Sequence, residues 1–246
     1  MSNEPQETAD VETASHDYAR RFSGAVGEWM LGIQENIVLN ILNPTPGSSI
    51  LDIGGAHGQL AIPLCREHYP VTLLSSPGAD KEKFSAAIEK GVCKFQSGNV
   101  ITAPFPDKSF DTTISFRLLA HCSRWPKLIS ELCRTAKHSV IVDYPTSQSF
   151  NRIAPALFKA KRKIEGNTRA FRLFTHKEIS GEFEKHGFHI NRLEKEFFLP
   201  MVLHRTLKCK GLSALMENFF KITGFTRLWG SPVIVEMTRK AEEKYK

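Results

Sequence analysis

Between Ile50 and Gly58 the chain reads Ile-Leu-Asp-Ile-Gly-Gly-Ala-His-Gly. This is the pattern of a short buried strand ended by an acid and a tight glycine turn, with a helix starting from about Gln59. Glycine lets a backbone adopt conformations and close approaches that any Cβ would block. A strand feeding such a turn and then a helix N-terminus makes a cradle for a nucleotide-like ligand. The spacing is D-x-G-G-x-x-G and not the G-x-G-x-x-G of dinucleotide sites, which weighs against a nicotinamide-dependent Rossmann oxidoreductase.

Around this turn, short apolar runs alternate with helical segments. Predicted strands are 49–53, 71–75, 93–97, 110–115 and 139–143, with helices near 59–67, 81–90 and 124–136. That alternation implies right-handed crossovers and a parallel sheet covered on both faces. A helical stretch over 16–42 precedes it, with Phe22, Val26, Trp29, Met30, Ile33, Ile37 and Ile41 at spacings of three and four. After Pro145 the pattern changes. Residues 147–166 read as a basic helical insertion, and Thr175 with Glu178 opens another helix as a capping box. Extended segments are expected over 189–200 and 232–238. The helix between them, around 213–222, carries Leu215, Phe219, Phe220 and Ile222 and reads as buried.

The chain has 246 residues, enough for one domain with embellishments, and 41% of them are hydrophobic, enough for a sizeable core. No apolar run approaches the roughly 20 residues needed to span a bilayer. Residues 1–12 are polar and acidic and read as a disordered tail, neither a secretory signal nor a basic transit peptide. The five cysteines include no C-x-x-C pair, which fits reduced thiols in a cytoplasmic protein without a zinc site. The net charge of +7 concentrates at Lys159, Lys161, Arg162 and Lys163, followed by Arg169 and Arg172. Such a run is either a solvated helix face or a contact surface for an acidic substrate or a membrane surface; no nucleic-acid-binding motif accompanies it. Oligomeric state is not legible.

The turn Asp52–Gly58 resembles motif I of the class I S-adenosylmethionine (SAM)-dependent methyltransferases. A second segment, Asn99 to Asp111 (Asn-Val-Ile-Thr-Ala-Pro-Phe-Pro-Asp-Lys-Ser-Phe-Asp), resembles the family's G-D-A-x-x-L-P-F-x-D-x-S-F-D, most closely in small-molecule enzymes of the ubiquinone/menaquinone-biosynthesis type. A third, Glu131-Leu132-Cys133-Arg134, matches the E-x-x-R helix before strand five. The resemblance spans roughly Tyr18 to Thr238. It implies an α/β, Rossmann-like, seven-stranded and mostly parallel sheet whose last strand is antiparallel, inserted between the fifth and sixth. Helices cover both faces, and a helical cap (13–43) and an insertion (146–174) belong to one domain over 13–246.

It further implies SAM as cofactor and methyl transfer to oxygen or carbon of a small acceptor, lipid- or quinone-like, or alternatively a non-catalytic SAM-fold binding protein. By position in the family's motifs, Asp52 faces the methionine amino group, and Gly54, Gly55 and Gly58 let the backbone approach. Ala56 stands where the family most often has another glycine. Val100 and Asn99 lie at the adenine turn. Ser75 occupies the place of the usual ribose-binding acid, so a compensating polar residue is expected elsewhere. In the loop after strand four, Phe116 is expected to line the pocket, Arg117 to meet a carboxylate or an anionic acceptor, and His121 to serve as base. His57 shapes cofactor contacts. Tyr18 from the cap and Tyr144 after strand five are expected acceptor contacts. The insertion's Phe150, Ile153, Leu157 and Phe158 and the segment Phe197–Met201 would extend an apolar surface. Glu131 and Arg134 serve packing and ion pairing.

Overall fold

A computed structural model describes residues 7–79, 84–149 and 172–240. Its centre is β1 (Ile50–Ile53), in which every residue is buried. Strands walled by helices on both faces have no solvated side, so near-continuous apolar runs are what they demand. β1 pairs in parallel with β2 (Val71–Ser75) and with β4 (Phe110–Ser115). β2 pairs with β3 (Cys93–Ser97), and β4 with β5 (Ala136–Tyr144), also in parallel. The chain then adds β6 (Phe188–Lys195) and β7 (Val233–Arg239), and β7 runs antiparallel between β5 and β6. The order is β3-β2-β1-β4-β5-β7-β6, as the resemblance implies.

Because successive strand residues point to opposite faces, Leu51 and Ile53 join one core and Ile50 the other. The first core is sealed by α6 (Trp125–Thr135) and α7 (His176–Glu184), the second by α3 (Gly24–Leu42), α4 (Ala61–Arg66) and α5 (Ser85–Glu89). The Thr175 capping box forms as expected: Thr175 Oγ1 accepts from the Glu178 N–H, and the Glu178 carboxylate accepts from the Thr175 N–H.

Several expectations change. The helix expected over 16–42 is two, α2 (His16–Arg20) and α3, separated by a bend at 21–23. Residues 7–12 are not a loose tail. They enter α1 (Ala9–Thr13), with Ala9 and Asp10 fully buried, because their polar groups find partners on the sheet's edge. The helix expected near 213–222 is α9 (Lys210–Ile222), preceded by α8 (Met201–Leu207) and followed by α10 (Phe225–Trp229). Its Leu215, Phe219 and Ile222 are exposed, not buried, because the buried residues of the helix are Ser213 and Glu217; of the four expected inside only Phe220 is half-buried, packed on Phe198. Of the basic insertion, only the two ends are described. Thr146 and Phe174 bridge there, and Ser147 N–H donates to the Phe174 carbonyl at 2.8 Å. Phe150, Ile153, Leu157, Phe158, the lysine–arginine run 159–163 and Arg169 lie outside the described residues.

Candidate functional site

The carboxyl ends of β1, β2 and β4 meet at the glycine turn, the edge where open α/β sheets take their ligands. Gly54 has φ +81°, and its N–H donates to the Leu74 carbonyl at 2.8 Å, which pins the turn to β2. A Cβ on Gly55 would stand 2.0 Å from the Asp52 carboxylate, so only glycine fits there. Asp52 is enclosed in turn: neither of its oxygens has a hydrogen-bond partner among the described residues. Burial pushes its carboxyl up to about 8, so near neutrality it is largely protonated. Ser75, at the tip of β2, is fully buried and its hydroxyl is likewise without a partner. A buried polar group left unpaired costs about 1–3 kcal/mol, so two at one edge are groups that a polar ligand would satisfy.

The same edge is already approached from within the chain. Asp10 accepts from the Ser76 N–H at 2.7 Å, and its other oxygen lies 2.6 Å from the Ser76 hydroxyl. That hydroxyl also reaches the Glu7 carbonyl at 2.7 Å. The Asp10 Cβ would be 3.4 Å from a Cβ on Gly54, so α1 lies directly over the turn. Glu7 Oε1 accepts from the Thr8 and Ala9 N–H groups, while its Oε2 accepts from Cys122 and Ser123. At the exit of β3, Asn99 Oδ1 accepts from the Ile101 N–H at 3.3 Å and the Glu7 N–H at 3.4 Å. Val100 is fully buried beside Ala9 in the same core. The chain thus brings a carboxylate, Asp10, next to the strand tip where Ser75 lacks one.

Two expected contacts behave differently. The Phe116 ring is fully buried in the core with Ala56 and Leu60; its carbonyl is what faces the turn, 3.4 Å from His57 Nε2. Since His57 Nδ1 accepts from the Gln59 N–H, the ring proton belongs on Nε2. Tyr144 is also turned away. Its hydroxyl bonds His176 Nδ1 at 2.8 Å, and its ring lies against Phe174 in the α6–α7 core. One residue of strand alternation decides this, because it is Asp143 that points to the other face.

Asp143 anchors a second constellation beneath the cap. Its Oδ1 accepts from the Arg117 N–H at 2.6 Å, and the Arg117 guanidinium stacks 3.8 Å from the Phe22 ring centre and 5.8 Å from that of Tyr18. Arg117 itself sits at φ +59°, a conformation that an arginine adopts only when its surroundings hold it there. The His121 ring meets Tyr18 edge-on at 6.4 Å. Glu196, following β6, completes the group: Gln34 of α3 donates to its Oε1 at 3.1 Å, and Gln34 Oε1 accepts from Gln59. Burial pushes Asp143 up to about 6. Burial and then the charge of Asp143 push Glu196 up to about 8. The fold therefore gathers Tyr18, Arg117 and His121, but not Tyr144. Sequence reading missed Asp10, Gln34, Asp143 and Glu196. Only Asp143 had a signal, as the partner in alternation to Tyr144.

The third motif acts at a distance. Arg134 donates to both Glu131 oxygens, to Asp107, and to the carbonyls of Ala103 and Phe105, while Glu131 accepts from the Ala103 N–H. This buckle fixes the 103–107 loop that leads from the β3 exit into β4. Among the described residues no cluster suits a metal ion, and no helix is long and apolar enough to cross a membrane.

Residues 51–142 match the family model described as Methyltransferase domain. The chain is similar in fold to magnesium protoporphyrin IX methyltransferase from Synechocystis, crystallised with S-adenosylhomocysteine. The TM-score is 0.64 at 15% identity, over 94% of this chain and 96% of that one. A geranyl diphosphate methyltransferase solved with geranyl diphosphate and sinefungin gives 0.59 at 13% identity, over 85% and 79% of the two chains. A protein named O-methyltransferase from Pyrenophora dematioidea is 26% identical over 105 residues, and the match spans 41% of this chain and 39% of that relative. Residues 51–142 thus match a methyltransferase domain, and the strands around them take the fold of these solved methyltransferases.

Proposed function

We propose that this protein transfers a methyl group from SAM to an oxygen or carbon of a small amphipathic acceptor, within one domain that takes in α1 as well as the residues from 13 on. The observation that carries this reading is the pair of partnerless buried groups, Asp52 and Ser75, set against the Gly54–Gly55 turn. The cofactor supplies an electrophilic methyl on a sulfonium centre, and much of the acceleration comes from alignment and exclusion of water. Asp52 and Gly54, Gly55 and Gly58 hold its methionine end. Ser75, Asn99 and Val100 face the ribose and adenine. Asp10 occupies the ribose's side of the edge, so α1 has to release Ser76 before the strand tip is free.

On the acceptor side, Tyr18, Phe22 and Arg117 offer rings with a cation laid on them, suited to an apolar framework bearing an anionic or hydroxyl group. Relatives of this fold named for magnesium protoporphyrin IX and geranyl diphosphate point the same way. His121, edge-on to Tyr18, is the group we assign to take the acceptor's proton, with Asp143 and Glu196 positioning Arg117. Isothermal titration with SAM and S-adenosylhomocysteine is the direct check. Saturable binding of both is expected, and no heat from either at millimolar ligand would remove the enzyme reading and leave a fold without its cofactor.

A further inference from the structure

α9 is an amphipathic helix mounted the wrong way round for a soluble protein. A surface helix normally turns its apolar stripe to the core and its polar face to water. Here Leu212, Leu215, Phe219 and Ile222, spaced three and four apart along one stripe, all face outward, and Ile222 is 86% exposed. The buried residues are Ser213 and Glu217, with Phe220 half-buried against the Phe198 ring at 4.2 Å. Glu217 holds the helix by that polar face: its carboxylate accepts from the Phe198 and Leu199 N–H groups and pairs with His204 Nε2, each at 2.9 Å. The mounting is therefore specific, because turning the helix over would strand a buried carboxylate's three partners.

The stripe extends onto the neighbouring helices. Leu203 and Leu207 of α8 and Phe225, Leu228 and Trp229 of α10 are exposed as well. Nine of the eleven exposed large hydrophobic residues among those described fall between 203 and 229. A concentration of this kind marks a surface that is covered in use. Its charge says by what. Lys208, Lys210, Lys221 and Arg227 are exposed around the stripe, and the sole acid between 201 and 229 is the inward-facing Glu217. A second copy of this chain would bring like charges together. An anionic lipid surface answers both features, taking apolar side chains into the acyl boundary and lysines among the headgroups. Tryptophan, phenylalanine and leucine are the side chains that helices lying in such an interface bury in it.

We propose that α8–α10 dock the protein on an anionic membrane, lying in the interface plane and not crossing it. The location fits the site. α8 packs on α3 of the cap, the His204 ring lies 5.4 Å from that of Trp29, and Phe197 closes the same cluster. Docking would set the acceptor side of the fold toward the bilayer. The surface itself is independent of which acceptor is methylated and of whether SAM binds.

The test uses the full chain in flotation with vesicles of phosphatidylcholine alone and of phosphatidylcholine and phosphatidylserine in equal parts, at low and high salt. The comparison variant carries Leu215→Glu, Phe219→Glu and Ile222→Glu, exposed positions that leave the Glu217 mounting intact, with its melting temperature and S-adenosylhomocysteine binding measured alongside. The expected result is flotation with the phosphatidylserine vesicles, weakened by salt, and an apparent affinity about tenfold or more lower in the variant. Failure to float, flotation indifferent to phosphatidylserine, or equal flotation of the variant would each overturn the proposal. So would a dimer that the variant dissolves while neither protein floats. Because cofactor binding is read separately, loss of docking and loss of the enzyme reading are distinguishable.

Discussion

At the tip of β2 the polar groups of Ser76 are satisfied by α1, with Asp10 taking the N–H and lying against the hydroxyl, whereas beneath the cap two carboxyls, Asp143 and Glu196, are buried beside a single arginine. The first region is closed by the chain's own hydrogen bonds. The second holds proton-binding groups whose charge the surroundings disfavour. On the proposed reading the cofactor half therefore competes with itself, while the proposed acceptor half responds to pH. On that reading a ligand would gain entry to the first by displacing a segment and would alter the second by changing protonation.

The largest expected effect breaks the first half alone. Gly55→Ala puts a methyl 2.0 Å from the Asp52 carboxylate, and overpacking of a rigid turn costs about 3 kcal/mol. A melting temperature lowered by several degrees and loss of S-adenosylhomocysteine binding are expected, and a variant that binds normally would refute the cradle. The second half is probed by pH. Glu196 has its folded value raised from 4.5 to about 8, so its contribution to stability is fully present below about 4.5 and is lost as pH rises through about 8. Asp143 has the same sign over a lower window, from 3.8 to about 6. Urea unfolding should show stability falling as pH rises across this range, and Glu196→Gln should flatten the upper part. An unchanged profile in that variant would show that the acid is solvated.

A smaller effect sharpens the comparison in the opposite direction. Asp10→Ala removes the contacts that hold α1 over the turn, so S-adenosylhomocysteine affinity should rise about tenfold by calorimetry. A fall would instead make Asp10 the ribose-binding carboxylate in the place of Ser75. The smallest effect lies outside both halves: Thr175→Ala removes the capping box of α7, costs about 1 kcal/mol in unfolding, and leaves ligand affinity unchanged.

Most of the sheet is legible in the sequence because two signals coincide there. Apolar runs such as Ile50–Ile53 and Val71–Ser75 state the strands, and Asp52–Gly58 and Asn99–Asp111 state the turns between them. What escapes has physical causes. The spacing of Leu215, Phe219 and Ile222 defines a stripe but not the direction it faces, and the direction is set by Glu217 reaching two backbone N–H groups at 198 and 199. A shift of one position separates Tyr144, closed off by His176, from Asp143, which meets Arg117. α1 has five residues, too few to carry a period, and is held by side-chain bonds across 66 positions. The acids of the acceptor half come from β5 and from the end of β6, far apart in the chain, so no local motif joins them.

The cysteines have a practical consequence. Cys65, Cys93, Cys122 and Cys133 are buried, and Cys209, the residue just before α9, is exposed. A maleimide fluorophore added to the native protein would therefore mark one position at the edge of the outward-facing stripe. The wild-type chain thus provides its own single-site reporter, whose emission can be followed as vesicles are added without altering a residue.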